Sequence, residues 1–243
     1  MDKSSIDLPR LALLVEAMSA EEAIGWALNA YHPRAALASS FGVEDIVVTD
    51  LLIRQRSDAR VFTLDTGRLH EETHELAERA RARFGVRIET HVPERDAVER
   101  LVREKGSFSF RLSVANRKEC CGIRKVEPLR RALADLDLWI TGLRRGQGAT
   151  RTEVRKLEWD DTFGLLKLNP IADWSDERVW THVRSNDLPY NVLHDRGFPS
   201  IGCAPCTRAV APGGDLRSGR WWWETAEQKE CGLHVRRGEG ETP

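Results

Sequence analysis

The chain carries five cysteines, Cys120, Cys121, Cys203, Cys206 and Cys231. Cys203 and Cys206 form a CxxC, which serves as a redox dithiol or as half a metal site. With the adjacent pair Cys120-Cys121 it makes four thiolates, a set that suits zinc or an iron–sulfur cubane. Neighbouring side chains diverge and rarely reach one small ion together, whereas a cubane offers each thiolate its own iron. The spacing favours a [4Fe-4S] cluster over zinc and leaves zinc open. A set of merely buried apolar cysteines is the alternative. It fits poorly with the polar or turn-forming neighbours Arg117, Lys118, Glu119, Gly202 and Pro205.

Cys231 is then left over, within Lys229-Glu230-Cys231-Gly232-Leu233-His234. A thiolate at neutral pH needs local positive charge, which Lys229, His234, Arg217 and Arg220 could supply. The alternative is an incidental free cysteine. If the other four are ligands, no internal thiol remains to resolve an oxidised adduct of Cys231. Given redox chemistry at Cys231, an external thioredoxin-like or glutaredoxin-like reductant follows from the count.

Three further segments could hold an anion. Arg144, Arg145 and Arg151 are interleaved with Gly142, Gly146 and Gly148, and guanidinium forks suit phosphate or sulfate oxygens. A solvated basic loop is the equal alternative. Residues 39–45, Ser-Ser-Phe-Gly-Val-Glu-Asp, offer hydroxyls and backbone N–H groups at a helix start. Arg217 and Arg220 precede a Trp221-Trp222-Trp223 run and lie close before Cys231.

Hydrophobic periodicity supplies the elements that position these residues. Residues 8–31 read as one or two helices. Residues 34–37, 61–64, 86–92 and 138–141 read as strands, and residues 46–53, 70–84, 96–105 and 124–134 as helices, with Gly85 as a helix stop. Alternation of this kind predicts an α/β fold, a mostly parallel twisted sheet flanked by helices, with ligands at the carboxyl ends of strands. After residue 185 periodicity fades, and an irregular C-terminal segment is expected. Residues 1–215 are expected to form a nucleotide-binding α/β domain including the cluster, and 216–243 a mobile catalytic tail, in one domain overall.

With 243 residues, 41% hydrophobic and 31% charged, the composition is that of a folded globular chain. A formal net charge of −1 gives no general basic field, so neither nucleic acid nor an anionic membrane is an expected partner. No apolar run approaches the ~20 residues of a membrane span. Residues 1–10 do not resemble a secretory signal, so a cytoplasmic location is expected. A homo-oligomer is left open.

These motifs together resemble the assimilatory sulfonucleotide reductases, in particular the cluster-bearing adenylyl-sulfate (APS) reductases. The resemblance spans residues 35–234. It is most specific in Lys-Glu-Cys-Gly-Leu-His at 229–234 and in the Cys-Cys plus CxxC set. Residues 39–45 resemble the family's phosphate-binding loop, a relative of the SGGxDS loop of ATP pyrophosphatases. Phe41 stands where that loop has a glycine and Asp45 where it has its last serine, which argues against pyrophosphate release. Leu64-Asp65-Thr66-Gly67 resembles the family's LDTG segment, and Gly142-Leu143-Arg144-Arg145 its arginine loop, here with Gly146 and Gly148-Ala149 instead of the usual continuation.

The resemblance implies a [4Fe-4S] cluster on Cys120, Cys121, Cys203 and Cys206. It implies substrate contacts from Ser39, Ser40, Phe41, Gly42, Glu44, Asp45, Leu64, Asp65, Thr66, Gly67, Arg144, Arg145 and Arg151. Lys125, Arg217, Arg220 and His234 would surround the substrate sulfate beside Cys231. The implied reaction is thioredoxin-dependent reduction of APS to sulfite and AMP through an S-sulfocysteine. The alternative is reduction of the 3′-phosphorylated nucleotide (PAPS), or of both. Relatives that reduce PAPS commonly lack the four ligand cysteines, which tips the expectation to APS.

Overall fold

The computed structural model of the protein describes residues 6–148, 151–211 and 213–225. Two helices, α1 (Leu8–Glu16) and α2 (Ala20–Tyr31), precede the sheet. Ser19 and Glu22 close a reciprocal capping box that starts α2. Then come β1 (Ala35–Ala38), α3 (Val43–Gln55), β2 (Arg60–Leu64), α4 (Glu71–Phe84), β3 (Ile88–His91) and α5 (Arg95–Lys105). Gly85 ends α4 with φ +62°, the left-handed backbone that lets a chain leave a helix.

The six strands lie in the order β3-β2-β1-β4-β6-β5, with β4 at Leu138–Ile140, β5 at Leu157–Asp160 and β6 at Leu165–Leu168. All pairs are parallel except β5 with β6, a hairpin at the edge. Successive residues of a strand face opposite sides. Leu37, Leu138, Ile140, Leu166 and Leu168 enter one core with α2, α3 and α8 (Asp176–Ser185). Ala36, Phe62, Trp139 and Leu165 enter a second with α7 (Glu127–Leu133). The expected two-faced parallel sheet is therefore present.

The structure departs from the sequence reading at the cysteine pair. The helix read as starting at residue 124 is the end of a longer helical run. It opens with α6 (Val114–Cys121), capped by Ser113, widens into a π-helical turn over Gly122–Val126, and tightens again into α7. Such π turns interrupt the normal hydrogen-bond ladder and are common at functional sites. Cys120 and Cys121 sit where the ladder changes. Among the described residues no helix is long and apolar enough to cross a membrane.

Candidate functional site

Strand order reverses between β1 and β4, and ligands of open α/β sheets bind outside the carboxyl ends of strands at such a point. A cleft of about 560 Å³ lies there, lined by the loops after β1, β2 and β4. That volume suits a nucleotide-sized ligand.

The loop after β1 brings Ser39, Ser40, Gly42, Glu44 and Asp45 to the cleft, but not Phe41. Phe41 is buried and holds φ +57°, a left-handed backbone rare for an aromatic residue. Phe41 thus holds a backbone that glycine would adopt freely, at some cost in strain. Asp45 turns its buried carboxylate inward, accepting the Ser40 N–H and hydroxyl at 2.7 Å each and the Gly142 N–H at 3.2 Å. Burial raises its pKa to about 6 against the opposing pull of these donors.

After β2, Leu64 and Thr66 line the cleft, while Asp65 and Gly67 do not. Asp65 instead accepts the Gly67 N–H at 2.8 Å and so shapes the turn. After β4, Arg144 is only 1% exposed. It bonds Glu44 Oε1 at 2.7 Å, Asp176 and the Trp174 carbonyl. It lines the cleft as a clamp, with its guanidinium already engaged. Arg145 points elsewhere, to Glu16 and the Val154 carbonyl, and is not brought to the cleft. Arg151 reaches the cleft while bonding Gln147 at 2.5 Å.

The four candidate ligand cysteines converge as the sequence suggested. Cys120, Cys121, Cys203 and Cys206 line one small cavity with Arg68, Arg117, Arg124, Lys125 and Arg220. Thr66 Oγ1 lies 3.2 Å from Cys203 Sγ, and Arg124 donates to the Thr66 carbonyl at 2.7 Å. Burial pushes the Cys120 and Cys206 thiols up, the latter to about 12. Burial acts on Cys203 too, but Lys125, the Thr66 hydroxyl and the nearby arginines outweigh it and bring that thiol below its ordinary value. Nε of Arg124 and Nε of Arg220 are buried without hydrogen-bond partners. Among the described residues no group of three or more Cys, His, Asp or Glu side chains is arranged to hold a metal ion. Four sulfur donors lining one cavity, with unused N–H groups of Arg124 and Arg220 beside them, fit the donor set of a thiolate-bound metal group.

The two cavities share a wall. Lys125, Arg220 and Trp221 line both. Arg220 is held by Ser200 Oγ and the Ile201 carbonyl at 3.3 Å each. It lies so close over Gly202 that a Cβ there would collide with the guanidinium. Arg217 also faces the cleft. Cys231 and His234 lie outside the described residues.

Sequence reasoning missed Trp180, His194 and Asp176 on the cleft wall. His194 Nε2 is buried there without a partner. It also missed Arg68, Arg117 and Arg124 around the cysteines. An arginine three residues before and another three after the Cys120-Cys121 pair was the available signal.

A family model described as the phosphoadenosine phosphosulfate reductase domain matches residues 34–209. A solved phosphoadenylyl-sulfate (PAPS) reductase from Candida auris superposes with a TM-score of 0.73 over 86% of this chain and 98% of that one, at 22% identity, which supports the fold. Curated relatives named adenosine 5′-phosphosulfate reductase are much closer in sequence. The protein from Burkholderia cepacia is 48% identical over 93% of this chain and 90% of its own. The one from Allochromatium vinosum is 53% identical over 82% and 78% respectively. By fold, by domain and by sequence, the chain belongs to the APS/PAPS reductase family.

Proposed function

We propose that the protein reduces adenylyl sulfate to sulfite and AMP in sulfate assimilation, in the cytoplasm, with electrons from a thioredoxin-like or glutaredoxin-like dithiol. One observation carries the reading beyond the family. The cleft and the four-cysteine cavity share Lys125 and Arg220, so in this reading both cations would meet the substrate's sulfate end from beside the cysteines. The names of the relatives support the same substrate.

Cys231 is the nucleophile of this reading. Its thiolate attacks the sulfur of the bound sulfate group, the bond from sulfur to the phosphate oxygen breaks, and AMP leaves. Cys231 then carries the sulfonate as S-sulfocysteine. A thiolate of the reductant attacks Cys231 Sγ and expels sulfite, and its second thiol resolves the mixed disulfide. The two electrons come from the dithiol. Lys125, Arg217 and Arg220 offset the repulsion between an anionic nucleophile and an anionic sulfate. In this reading His234 would join them at the sulfate, and residues 216–243 act as the catalytic tail.

Cys120, Cys121, Cys203 and Cys206 would hold a [4Fe-4S] cluster, whose chemistry is to fix a delocalised charge and tie the two cysteine-bearing segments together. Incubating protein with APS and no reductant should leave one sulfonate on Cys231, read by peptide mass. Cys231→Ser protein that still releases sulfite at the wild-type rate would overturn the mechanism. PAPS as the alternative is tested by side-by-side rates with the two nucleotides.

A further inference from the structure

Arg220 is a buried cation whose charge the described residues do not neutralise. It is only 7% exposed. The acceptors they give its guanidinium, Ser200 Oγ and the Ile201 carbonyl at 3.3 Å each, are both neutral, and its Nε has no partner. Arg144, also buried on the cleft wall, is the contrast, because Glu44 and Asp176 both take up its charge. A guanidinium with only neutral contacts needs another means to be held in one place.

Trp221 supplies it. This residue is 1% exposed and lays its indole against Arg220, with the guanidinium carbon 4.8 Å from the ring centroid. The guanidinium of Arg117 lies 4.8 Å from the same ring. Arg117 is itself fixed by Glu224 in an ion pair 2.9 Å long, with both side chains buried. A π face attracts a guanidinium without taking its charge, and the contact is stronger when desolvated. A carboxylate in the same place would also hold Arg220, but it would compete with an anionic ligand. The backbone enforces the placement. Trp221 has φ +40°, a costly conformation for a bulky residue. Its N–H donates to the Cys206 carbonyl at 3.1 Å, and Arg220 forms an antiparallel bridge with Thr207. Both residues are thus pinned beside the CxxC segment.

We propose that Trp221 is a positioning residue for the reaction. Its indole, backed by the Arg117–Glu224 pair, holds the Arg220 guanidinium in the wall between the cleft and the cysteine cavity, with its charge intact for the sulfate of the substrate. The inference rests on the reading above in one respect, that Arg220 meets that sulfate.

The test is a double-mutant cycle on the full-length enzyme, purified anaerobically. Trp221→Leu removes the π face and Trp221→Phe keeps one, each made alone and together with Arg220→Ala. The readouts are kcat and KM for APS, AMP affinity by calorimetry, and iron content. Trp221→Leu should lower kcat/KM about 30-fold, mostly in kcat, and Trp221→Phe about fivefold. AMP affinity should stay within about twofold of wild type in both, and iron content should be unchanged. Beside Arg220→Ala, either substitution should change kcat/KM by less than about twofold, because a residue that acts through Arg220 has nothing left to position. Losses that multiply onto the loss from Arg220→Ala, or a wild-type kcat/KM in Trp221→Leu, overturn the proposal. So does loss of AMP binding or of iron in Trp221→Leu, which would make Trp221 a support of the cavities at large. Should Trp221→Leu not fold, Trp221→Phe decides: a loss that vanishes beside Arg220→Ala supports the proposal, and no loss, or an equal loss in both backgrounds, overturns it. Failure of the underlying reading looks different, since Arg220→Ala itself then keeps the wild-type kcat/KM.

Discussion

The carboxylate of Asp45 accepts the Gly142 N–H at 3.2 Å and ties the loop after β1 to the loop after β4. Both loops border the cleft, so this one acid sets the distance between its walls. It sits in the first turn of α3, where the helix N-terminus favours negative charge, yet burial outweighs that help and raises its pKa to about 6.

That shift has a sign in stability. Above the reference value of 3.8 the unfolded chain gives up this proton first, so the folded state holds the extra proton between about 4 and 6. Stability from this group is therefore present at low pH and is lost as pH rises through 6, by a full amount on the order of 3 kcal/mol. Asp45→Asn removes the titration. Its unfolding free energy should gain on wild type by that order between pH 4 and pH 7 in urea titrations. A difference that stays flat across the window would show that Asp45 does not titrate there.

Arg144 and Arg145 adjoin in sequence and should respond very differently to removal. Arg144→Ala leaves the half-buried Glu44 without its charged partner and should cost about 1.5–3 kcal/mol. Arg145→Ala loses a pair with Glu16 in which both partners are about one-third exposed, and should cost about 1 kcal/mol or less. Chemical denaturation of the two variants separates a structural clamp from a surface contact. Equal costs would contradict the burial difference.

Thr66 Oγ1 and Cys203 Sγ share a hydrogen bond at 3.2 Å, and the Thr66 carbonyl accepts from Arg124. Thr66→Val keeps the shape and removes the hydroxyl. A polar group that hydrogen-bonds a metal-bound side chain is worth about 10–100-fold in metal retention. The variant should take up iron and sulfide anaerobically and lose visible absorbance in air faster than wild type. An unchanged bleaching rate would mean that the hydroxyl does not support the ligand.

The sheet was legible because its central strands are short apolar runs bounded by turn residues. Residues 61–64 and 138–141 fall within one residue of β2 and β4. The grouping of Cys120, Cys121, Cys203 and Cys206, which line one cavity, was suggested by counting. What stayed hidden had weak local signal. In α8 only Val179 and Val183 are buried, and in the hairpin β5–β6 Lys167 is buried over Trp139, a placement that no polar residue announces in sequence. The start of α6 was masked by its charge, since Arg117 reads as a surface residue until Glu224 arrives from 107 positions away to bury it. The arginine loop misled in part for the same reason: basic residue type told of anion binding, while the partners of Arg144 and Arg145 are acids supplied by distant helices.

Gly202 offers a way to test the shared wall without touching a charged group. It lies against the Arg220 guanidinium, and its backbone is not in the left-handed region, so alanine brings no conformational strain of its own. The added Cβ must displace the end of Arg220, which Ser200 and the Ile201 carbonyl now hold toward both cavities. If Arg220 faces the sulfate, Gly202→Ala should reproduce Arg220→Ala in kind. A single misplaced electrostatic donor typically costs about 10²–10³ in rate, and kcat/KM for APS should fall by somewhat less, since the guanidinium is moved and not removed. AMP lacks the sulfate, so its affinity should change by no more than about threefold in either variant. Calorimetry with AMP beside kinetics with APS makes the comparison. Parallel losses of AMP binding would assign Arg220 to the nucleotide, and an unaffected kcat/KM would remove it from the reaction.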